Sequence, residues 1–281
     1  MKLKEFFQFI PAAIKLRSVS LESLNDVSKP ALPVVISLTS IPSRLPIIHY
    51  TIRSVLTQSY RPEKMLLWLN ESLRNEIPKR LKELEGDIFE IRFSKLDCPH
   101  LKLVETLAEF QQSNIVTCDD DLIYPNDWLE LLYNEHKAFP DQIIANTCRY
   151  VMYDEQGNTL PYVQWSNNIP YGTSSLAIMP AGYGGVLYPP GSLLTPEVYS
   201  SDIYLKLSPK ADDLWFKAMS FLNGTVCRRS AVVSERAIPV AGSRKVTLSR
   251  ANVNQDKNRE QWNALRAYYN FKTPCPESLT K

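Results

Sequence analysis

The sequence lacks several features that mark common classes of protein. Its 281 residues contain no apolar run close to the roughly 18–20 residues that a membrane-spanning helix needs. Lysine and arginine total 32 and aspartate and glutamate total 30, so the net charge is only +2. A strong global field for nucleic acid or for an anionic membrane is therefore excluded. The chain is still long enough to bury a sizeable core as one large domain.

Cysteine is scarce, and its spacing has no recognisable pattern. The five cysteines are widely separated, their number is odd, and none belongs to a C-x-x-C motif. This spacing argues against a disulfide framework or a zinc cluster, so a reducing cytosol is the expected compartment. Cys118 and Cys227 lie next to apolar residues, and we expect both to be buried thiols.

Glycine is also scarce, and it is unevenly distributed. The chain has nine glycines and 20 prolines, and six of the prolines lie between Pro161 and Pro196. Five of the glycines fall within one twenty-residue stretch, at Gly172, Gly182, Gly184, Gly185 and Gly191. Positive φ angles and close backbone approach are therefore most available in this one segment.

The N-terminal segment MKLKEFFQFIPAAIKLRS combines apolar residues with basic flanks. Glu5, Gln8 and Pro11 interrupt the apolar residues and no small-residue cleavage site follows, which disfavours a signal peptide. One interpretation is a helix docked on the domain. The other is a helix that rests its apolar side chains on an anionic membrane face, with basic side chains around them. The residues concerned are Phe6, Phe7, Phe9, Ile10, Ile14, Lys2, Lys4, Lys15 and Arg17.

Short apolar runs alternate with helical periodicity through the first half of the chain. The runs predict strands over residues 34–38, 65–69, 88–93 and 114–118, with helices over 48–56, 72–84 and 103–110 between them. This alternation indicates an α/β fold with a mostly parallel sheet covered by helices on both faces. Ligands of such folds bind beyond the carboxyl ends of the strands. The alternation is lost after about residue 150, and later helices are predicted around Trp215 and Trp262.

Three adjacent carboxylates, Asp119, Asp120 and Asp121, follow the fourth predicted strand directly. Like charges repel one another in a low-dielectric site unless cations compensate, and a hard divalent cation is the usual compensation. Because residues i and i+2 of an extended segment point the same way, Asp119 and Asp121 are expected to converge on one Mg²⁺ or Mn²⁺ site. The alternative is a solvated turn whose acids cap the following helix.

Taken together, these elements resemble the glycosyltransferases of the GT-A fold, which use nucleotide-sugar donors and carry a D-x-D motif. The resemblance covers roughly residues 34–222 and rests on VVISLTSIPSR, MLLWLNE, LKL, IVTCDDDLIYP, GYGGVLYPPG and ADDLWFKAM, in that order. It is greatest to bacterial transferases of surface polysaccharides and more distant to exostosin-type catalytic domains. It implies a Rossmann-like domain over residues 31–250, with a nucleotide-sugar half at about 31–150 and an acceptor half at about 151–250. Residues 1–30 are expected to form a helical lead-in, and residues 251–281 a C-terminal helix and tail.

The resemblance implies donor-binding roles for residues at the strand ends. Thr39, Ser40 and Arg44 match the turn that cradles the nucleotide, where a planar guanidinium suits a diphosphate. Asn70 matches a position that contacts the base, and its amide favours the uracil of a UDP-sugar. Lys102 matches a position near the donor phosphates or base. The plain alternatives are a surface arginine, a turn residue and a helix-start lysine that faces water.

The same resemblance assigns the metal and the loop under the sugar. It implies that Asp121 is the main ligand of Mn²⁺ or Mg²⁺, while Asp119 or Asp120 reaches the ribose or the metal. Such an ion neutralises the charge on the leaving diphosphate. Gly184 and Gly185 match a loop beneath the sugar and the acceptor, with an ordinary tight turn as the alternative.

A second acidic pair, Asp212 and Asp213, precedes the helix predicted around Trp215. In the family that it resembles, the second acid faces the acceptor hydroxyl and is the general base of inverting members. Asp213 matches that acid and Asp212 would support it, although one of the two can be an N-cap. Inverting and retaining chemistry both stay open.

Some aromatic and late positions carry further expectations. Trp165, Tyr171 and Tyr183 have rings suited to stacking on sugar faces. Many members of the family supply a late histidine to the metal, but this chain has only His49, His100 and His136. We expect His100 and His136 on the surface or on helix faces. In place of the histidine, residues 243–245 could meet the diphosphate.

The leading expectation is thus a cytoplasmic enzyme that moves a sugar from a nucleoside-diphosphate sugar to a glycan or lipid-linked acceptor. Its pathway would be lipopolysaccharide or capsule synthesis, with peripheral contact to the inner membrane face and no nucleic-acid partner. The alternatives are a metal-dependent phosphatase or nucleotidyltransferase, and a non-catalytic glycan-binding protein of the same fold.

Overall fold

A computed structural model describes residues 3–243 and 255–274 of the chain. The helices are α1 (Leu3–Ser18), α2 (Leu21–Leu24), α3 (His49–Leu56), α4 (Lys79–Lys82), α5 (Leu101–Glu109), α6 (Trp128–Ala138), α7 (Ser201–Leu207), α8 (Asp212–Leu222) and α9 (Lys257–Tyr269). The strands are β1 (Ala31–Thr39), β2 (Arg61–Asn70), β3 (Phe89–Ser94), β4 (Asn114–Thr117), β5 (Leu122–Ile123), β6 (Ile143–Ala145), β7 (Cys148–Tyr150), β8 (Ser174–Ser175), β9 (Ile178–Pro180), β10 (Val186–Tyr188), β11 (Cys227–Arg229) and β12 (Ile238–Pro239).

One central sheet contains eight strands in the order β3-β2-β1-β4-β10-β6-β11-β8. The first four of these strands are parallel to one another. β10 is antiparallel to both of its neighbours, whereas β6 and β11 pair in parallel. The predicted α/β fold with a mostly parallel sheet is therefore confirmed. The carboxyl ends of β2, β1 and β4 lie side by side, at the edge where such folds bind ligands.

The pleat of β1 explains why its residues Val34, Val35 and Ile36 are apolar in succession. Val34, Ile36 and Leu38 pack into a core cluster with residues of α3 and α6 on one face of the sheet. Val35 packs on the opposite face, in a second cluster that includes residues of α5 and α8. Because successive side chains of a strand point to opposite faces, a strand covered on both sides needs apolar residues at consecutive positions.

The long helix predicted over residues 72–84 is wrong. This segment contains only a 3-10 turn at Glu71–Leu73 and the four-residue helix α4. Pro78 stands at the N-cap of α4. Since proline lacks an N–H and disfavours helical conformation in the residue before it, the charged segment cannot continue as one helix.

Of the two placements predicted for His100 and His136, the surface is wrong for both residues, whereas His136 does lie on a helix, α6. His100 is fully buried and stacks on the ring of Tyr204, with ring centroids 4.3 Å apart. His136 is buried as well. Burial lowers the pKa of His100 to about 3, with the charge of Lys102 adding to the effect, so the ring is neutral and packs as an aromatic side chain.

The N-terminal helix α1 is docked on the domain, as the first of its two interpretations expects. Ala13 and Leu16 are buried, and the helix contacts α3 and β12. Among the residues that the structure describes, no helix is both long enough and apolar enough to cross a membrane.

The four cysteines within the described ranges are buried free thiols, and Cys275 lies outside these ranges. The burial predicted for Cys118 and Cys227 is confirmed.

Candidate active site

The acidic triplet lies at the carboxyl end of β4, beside the carboxyl end of β1. Its carboxylates face two different cations, because Asp119 faces Lys102 whereas Asp120 and Asp121 face Arg44. Two groups of residues result. The arginine cluster consists of Ser40, Arg44, Asp120 and Asp121, and the lysine cluster consists of Lys102, Asp119, Asp212 and Asp213.

The arginine cluster joins the turn after β1 to the end of β4. The Ser40 hydroxyl donates to Oδ2 of Asp120 at 2.5 Å, and Nη1 of Arg44 pairs with Oδ1 of the same carboxylate. The Asp120 carbonyl accepts from the Thr51 hydroxyl at 3.0 Å. Burial raises the pKa of Asp120, against the opposing effect of Arg44. Both oxygens of this carboxylate are thus engaged by the protein, which gives Asp120 an internal structural contact besides its predicted donor role.

Arg44 is not the exposed surface arginine of the plain alternative. Its side chain is 16% exposed, and Nη2 lies 3.1 Å from Oδ2 of Asp121. Burial alone would lower the pKa of Arg44, but Asp120 and Asp121 outweigh burial and raise it. The guanidinium is therefore a fixed positive charge at the sheet edge, next to two acids of the triplet.

The lysine cluster joins the end of β4 to the start of α8. Nζ of Lys102, at the beginning of α5, lies 2.7 Å from Asp212, 3.5 Å from Asp119 and 3.9 Å from Asp213. The Lys102 side chain is only 8% exposed, so the alternative of a lysine facing water is wrong. Burial opposes its charge, but the three carboxylates raise the pKa of Lys102 well above its usual value. Lys102 is therefore a cation held among three acids.

The acidic pair does not cap α8 with its side chains. The N-cap residue is Ala211, and no side-chain hydrogen bond caps this helix. Oδ2 of Asp213 instead accepts from the backbone N–H of Gly182 at 3.1 Å. Burial raises the pKa of Asp213 to about 7, with Asp212 and Asp119 adding to the shift and Lys102 opposing it. A carboxylate with such a pKa can take up and release a proton near neutral pH.

The 3-10 turn Gly182–Gly184 lies directly against the lysine cluster. A Cβ atom at Gly182 would stand 2.8 Å from Nζ of Lys102 and 3.0 Å from Oδ1 of Asp213. The Tyr124 hydroxyl accepts from the Asp119 N–H at 3.0 Å and donates to the Tyr183 carbonyl at 3.3 Å. This turn is therefore attached to both the triplet and the acidic pair. Sequence reasoning placed Gly182 in the loop GYGGVLYPPG without giving it a role of its own, and it missed Tyr124, because only the three-dimensional contacts reveal these two links.

Gly184 and Gly185 have packing reasons to be glycine, and a Cβ atom at Gly184 would collide with the Thr147 side chain. The Gly184 carbonyl accepts from Nε1 of Trp128 at 2.9 Å and from Nδ2 of Asn146 at 3.0 Å. Gly185 has a φ of 93°, and a Cβ atom there would lie 2.5 Å from the Trp128 ring. These two glycines thus fix the loop in place, and the role under the sugar stays a prediction.

Thr39 and Asn70, the remaining predicted donor residues, use their side chains to hold neighbouring segments. The Thr39 hydroxyl donates to the Trp68 carbonyl at 2.8 Å. The Asn70 amide donates to the Lys95 and Leu96 carbonyls at 3.2 and 3.1 Å, and its oxygen accepts from the N–H of Ser72 at 3.0 Å. These contacts agree with the turn-residue alternative for Asn70.

The aromatic residues predicted to stack on sugars, and the predicted diphosphate contact at 243–245, lie partly in the core and partly on the surface. Trp165 is buried in the core, which corrects its expected stacking role, whereas Tyr171 and Tyr183 are exposed. Ser243 is buried, and the other two residues of the 243–245 prediction lie outside the described ranges. β12 pairs with β5 next to the triplet, and the N–H of Val240 donates to the Asp121 carbonyl at 2.8 Å.

Divalent-cation binding at this edge finds partial support in the geometry. Within residues 3–243 and 255–274, no group of three or more His, Cys, Asp or Glu side chains is arranged to hold a metal ion. Asp119 and Asp121 contact different cations, since Lys102 lies beside the first and Arg44 beside the second, and their convergence on one ion stays a prediction. Their side chains are nevertheless 35% and 22% exposed, and carboxylate oxygens suit a hard cation. An ion here would need further oxygens from a phosphate-bearing ligand.

The fold and this acid-lined edge define an α/β protein of the GT-A, Rossmann-like type. Residues 43–182 match the family model described as Glycosyl transferase family 2. The matched segment contains Arg44, Lys102 and the triplet, and it ends at Gly182, before the acidic pair. Residues 43–182 are thus similar to the domain that this family model describes.

Three solved structures align with this chain at low sequence identity. A 4-diphosphocytidyl-2C-methyl-D-erythritol synthase from Anaerococcus prevotii DSM 20548 is 11% identical, with 87% of this chain and 98% of that chain covered and a TM-score of 0.45. S. aureus TarS 1-349 is 12% identical, with 73% and 59% covered and a TM-score of 0.47. An apo UDP-glucose pyrophosphorylase is 8% identical, with 85% and 98% covered and a TM-score of 0.43. No curated protein matches the sequence.

Proposed function

We propose that the protein is a glycosyltransferase that moves a sugar from a nucleoside-diphosphate sugar, with UDP favoured, to a hydroxyl of a glycan or lipid-linked acceptor. The pathway that we assign to it is surface-polysaccharide synthesis, in lipopolysaccharide or capsule. The lysine cluster is the observation that carries the proposal. Nζ of Lys102 lies within 3.9 Å of three carboxylates. Asp119 is on the donor side, and Asp212 and Asp213 are on the acceptor side.

Asp213 is the group that we assign as general base. It takes the proton of the acceptor hydroxyl while that oxygen bonds to the anomeric carbon and the bond from this carbon to the diphosphate breaks. Three features suit Asp213 to this role, because its pKa is raised to about 7, its side chain is 34% exposed, and the Gly182 N–H fixes its orientation. Asp212 supports it by holding Lys102 at 2.7 Å. A base in this position would serve direct displacement with inversion of configuration at the anomeric carbon. NMR of the product, which reports that configuration, tests this.

The leaving diphosphate is assigned to the edge formed by the triplet and Arg44. Asp121 and Asp119 would hold Mn²⁺ or Mg²⁺ together with donor phosphate oxygens, and such an ion supplies positive charge to the leaving group. Arg44 stands beside Asp121 with Nη2 at 3.1 Å, and its planar fork can donate two parallel hydrogen bonds to a diphosphate.

Further donor contacts are assigned to residues around this edge. We assign the nucleoside to the strand ends at Thr39, Asn70 and Asp120, whose side chains hold this edge in shape, and the sugar to the loop of Gly184 and Gly185. The buried free thiols fit a reducing cytoplasm, where we place the reaction.

The test compares Asp121→Ala and Asp213→Ala with Asp202→Ala, which removes an exposed acid from the first turn of α7. Release of nucleoside diphosphate is measured with a panel of donor sugars and acceptors, and circular dichroism checks the fold. We expect each of the first two variants to lose at least about 10²-fold in turnover, while Asp202→Ala retains it. Folded Asp121→Ala or Asp213→Ala protein with wild-type turnover would overturn the corresponding assignment.

A further inference from the structure

Helix α1 carries more apolar surface than its docking on the domain uses. Its inner face places Leu16 in a buried cluster with Ile123 and Val240. Four large apolar side chains of the same helix remain exposed, with exposed fractions of 43% for Phe6, 65% for Phe7, 39% for Ile10 and 65% for Ile14. We call these four residues the apolar stripe. Single exposed apolar residues are common, but a contiguous group of them marks an interaction surface.

The stripe is continuous because of the helical period. Phe6, Ile10 and Ile14 are spaced four residues apart, so their side chains follow one another along one side of α1, and Phe7 borders them. Ala13 and Leu16, which are buried, lie on the adjoining face. The helix is therefore apolar on two faces, of which only one is covered by the domain.

Positive charge accompanies the stripe. Lys15 and Arg17 occupy the last turn of α1, and both are exposed. Arg53 donates to the carbonyls of Leu16 and Val19 at 2.9 Å, so a further cation lies at this end of the helix. The acidic residue whose charge acts on Arg53 is Glu83, the C-cap residue of α4. An apolar stripe with a basic border is the composition of helices that lie in the interface of an anionic bilayer.

The stripe also lies close to the candidate active site. The covered face of α1 contacts β12, and β12 pairs with β5 directly after the triplet. The N–H of Val240, which follows β12, donates to the carbonyl of Asp121 at 2.8 Å. At most the thickness of one helix, about 10 Å, therefore separates the apolar stripe from the strand pair of β5 and β12, which follows the triplet.

We propose that α1 is an interfacial helix that rests its apolar stripe in the surface of an anionic lipid bilayer, with its basic residues on the headgroups. The chemistry of the partner follows from the combination of exposed phenylalanine and isoleucine side chains with a cationic border. In consequence the acid-lined edge lies near the membrane surface, within reach of a lipid-linked acceptor. This last consequence rests on the proposed function, whereas binding to the bilayer does not.

The experiment is co-sedimentation of the full chain with vesicles of phosphatidylglycerol and phosphatidylcholine, and with vesicles of phosphatidylcholine alone. We expect the wild type to bind the anionic vesicles, and Phe7→Ser with Ile14→Ser to weaken binding at least about ten-fold. Lys15→Gln with Arg17→Gln should weaken it roughly five-fold for each charge removed, and added salt should mimic this change. The matched control is Val163→Ser with Val232→Ser, which removes two exposed apolar side chains elsewhere and should bind as the wild type does.

Two results would overturn the proposal. One is that the Phe7→Ser, Ile14→Ser variant binds anionic vesicles as tightly as the wild type does. The other is a wild-type dimer that this variant converts to a monomer, with no binding to vesicles, because the stripe would then be an interface between two copies of the chain. Metal-dependent nucleotide binding is measured on the same samples. If it persists while vesicle binding is absent, the membrane proposal fails and the proposed function stands.

Discussion

Replacing Lys102 by methionine removes the charge at the centre of the lysine cluster while keeping most of the side chain's length. The Lys102 and Asp212 side chains are only 8% and 10% exposed, and Nζ lies 2.7 Å from Oδ2. Removing one partner of a buried ion pair costs about 3–5 kcal/mol, because the other charge is left without compensation. Asp212 stands in the first turn of α8, where the helix dipole stabilises the unpaired carboxylate and offsets part of that cost. We therefore expect Lys102→Met to lower the free energy of unfolding by about 3 kcal/mol.

The assay is a double-mutant cycle by chemical denaturation at pH 7 with Lys102→Met, Asp212→Asn and the double variant. Because the two groups compensate each other, the double variant should be more stable than the sum of the single losses predicts, by about 1.5 kcal/mol or more. Lys79→Met is the control, since Lys79 is 89% exposed and should change stability by less than about 0.5 kcal/mol. A Lys102→Met loss as small as that of the control, or strictly additive losses, would refute the view that this ion pair holds the cluster together.

Three further predictions concern the same region. Because Asp213 must lose its proton to act as a base and its pKa is raised to about 7, kcat/KM should rise with pH to a plateau above neutrality. In Lys102→Met that rise should move to higher pH, and an unshifted profile would speak against Asp213 as the base. Gly182→Ala should lower turnover about ten-fold or more with a folded protein, because its Cβ would stand 2.8 Å from Nζ of Lys102; unchanged kinetics would count against that contact. Gly185→Ala should cost about 2 kcal/mol or more by denaturation, since Gly185 has a φ of 93° and faces the Trp128 ring. Gly191→Ala, with a φ of 70° but no neighbour within 4 Å, should cost less, and an equal cost would mean that the ring contact is unimportant.

The parallel half of the fold could be predicted because its signals are local. The run of β1 is apolar at consecutive positions, which a strand buried on both faces requires, and the triplet follows β4 with no intervening loop. The segment over 72–84 failed for an equally local reason, since Pro78 interrupts a charged segment whose composition is otherwise helical.

The arrangement of the site could not be predicted, because long-range contacts determine it. Nothing near Lys102 in the sequence indicates that Asp212, more than 100 residues later, would lie 2.7 Å away. Three adjacent acids by themselves predict an external cation that balances their charge. The chain instead supplies Arg44 and Lys102, which divide the three carboxylates between two clusters. Sequence patterns indicate which residues are acidic, whereas the partners that compensate them depend on the tertiary structure.

Isothermal titration of UDP, GDP and CDP into the protein, with and without Mn²⁺, tests most directly whether the acid-lined edge is a nucleotide-sugar site. We predict that one nucleoside diphosphate, UDP by preference, binds in the presence of Mn²⁺ and that Asp121→Ala loses this binding while Asp202→Ala keeps it. Absence of binding by all three nucleotides, or equal binding by the Asp121→Ala variant, would contradict the assignment of this edge to a nucleotide-sugar donor.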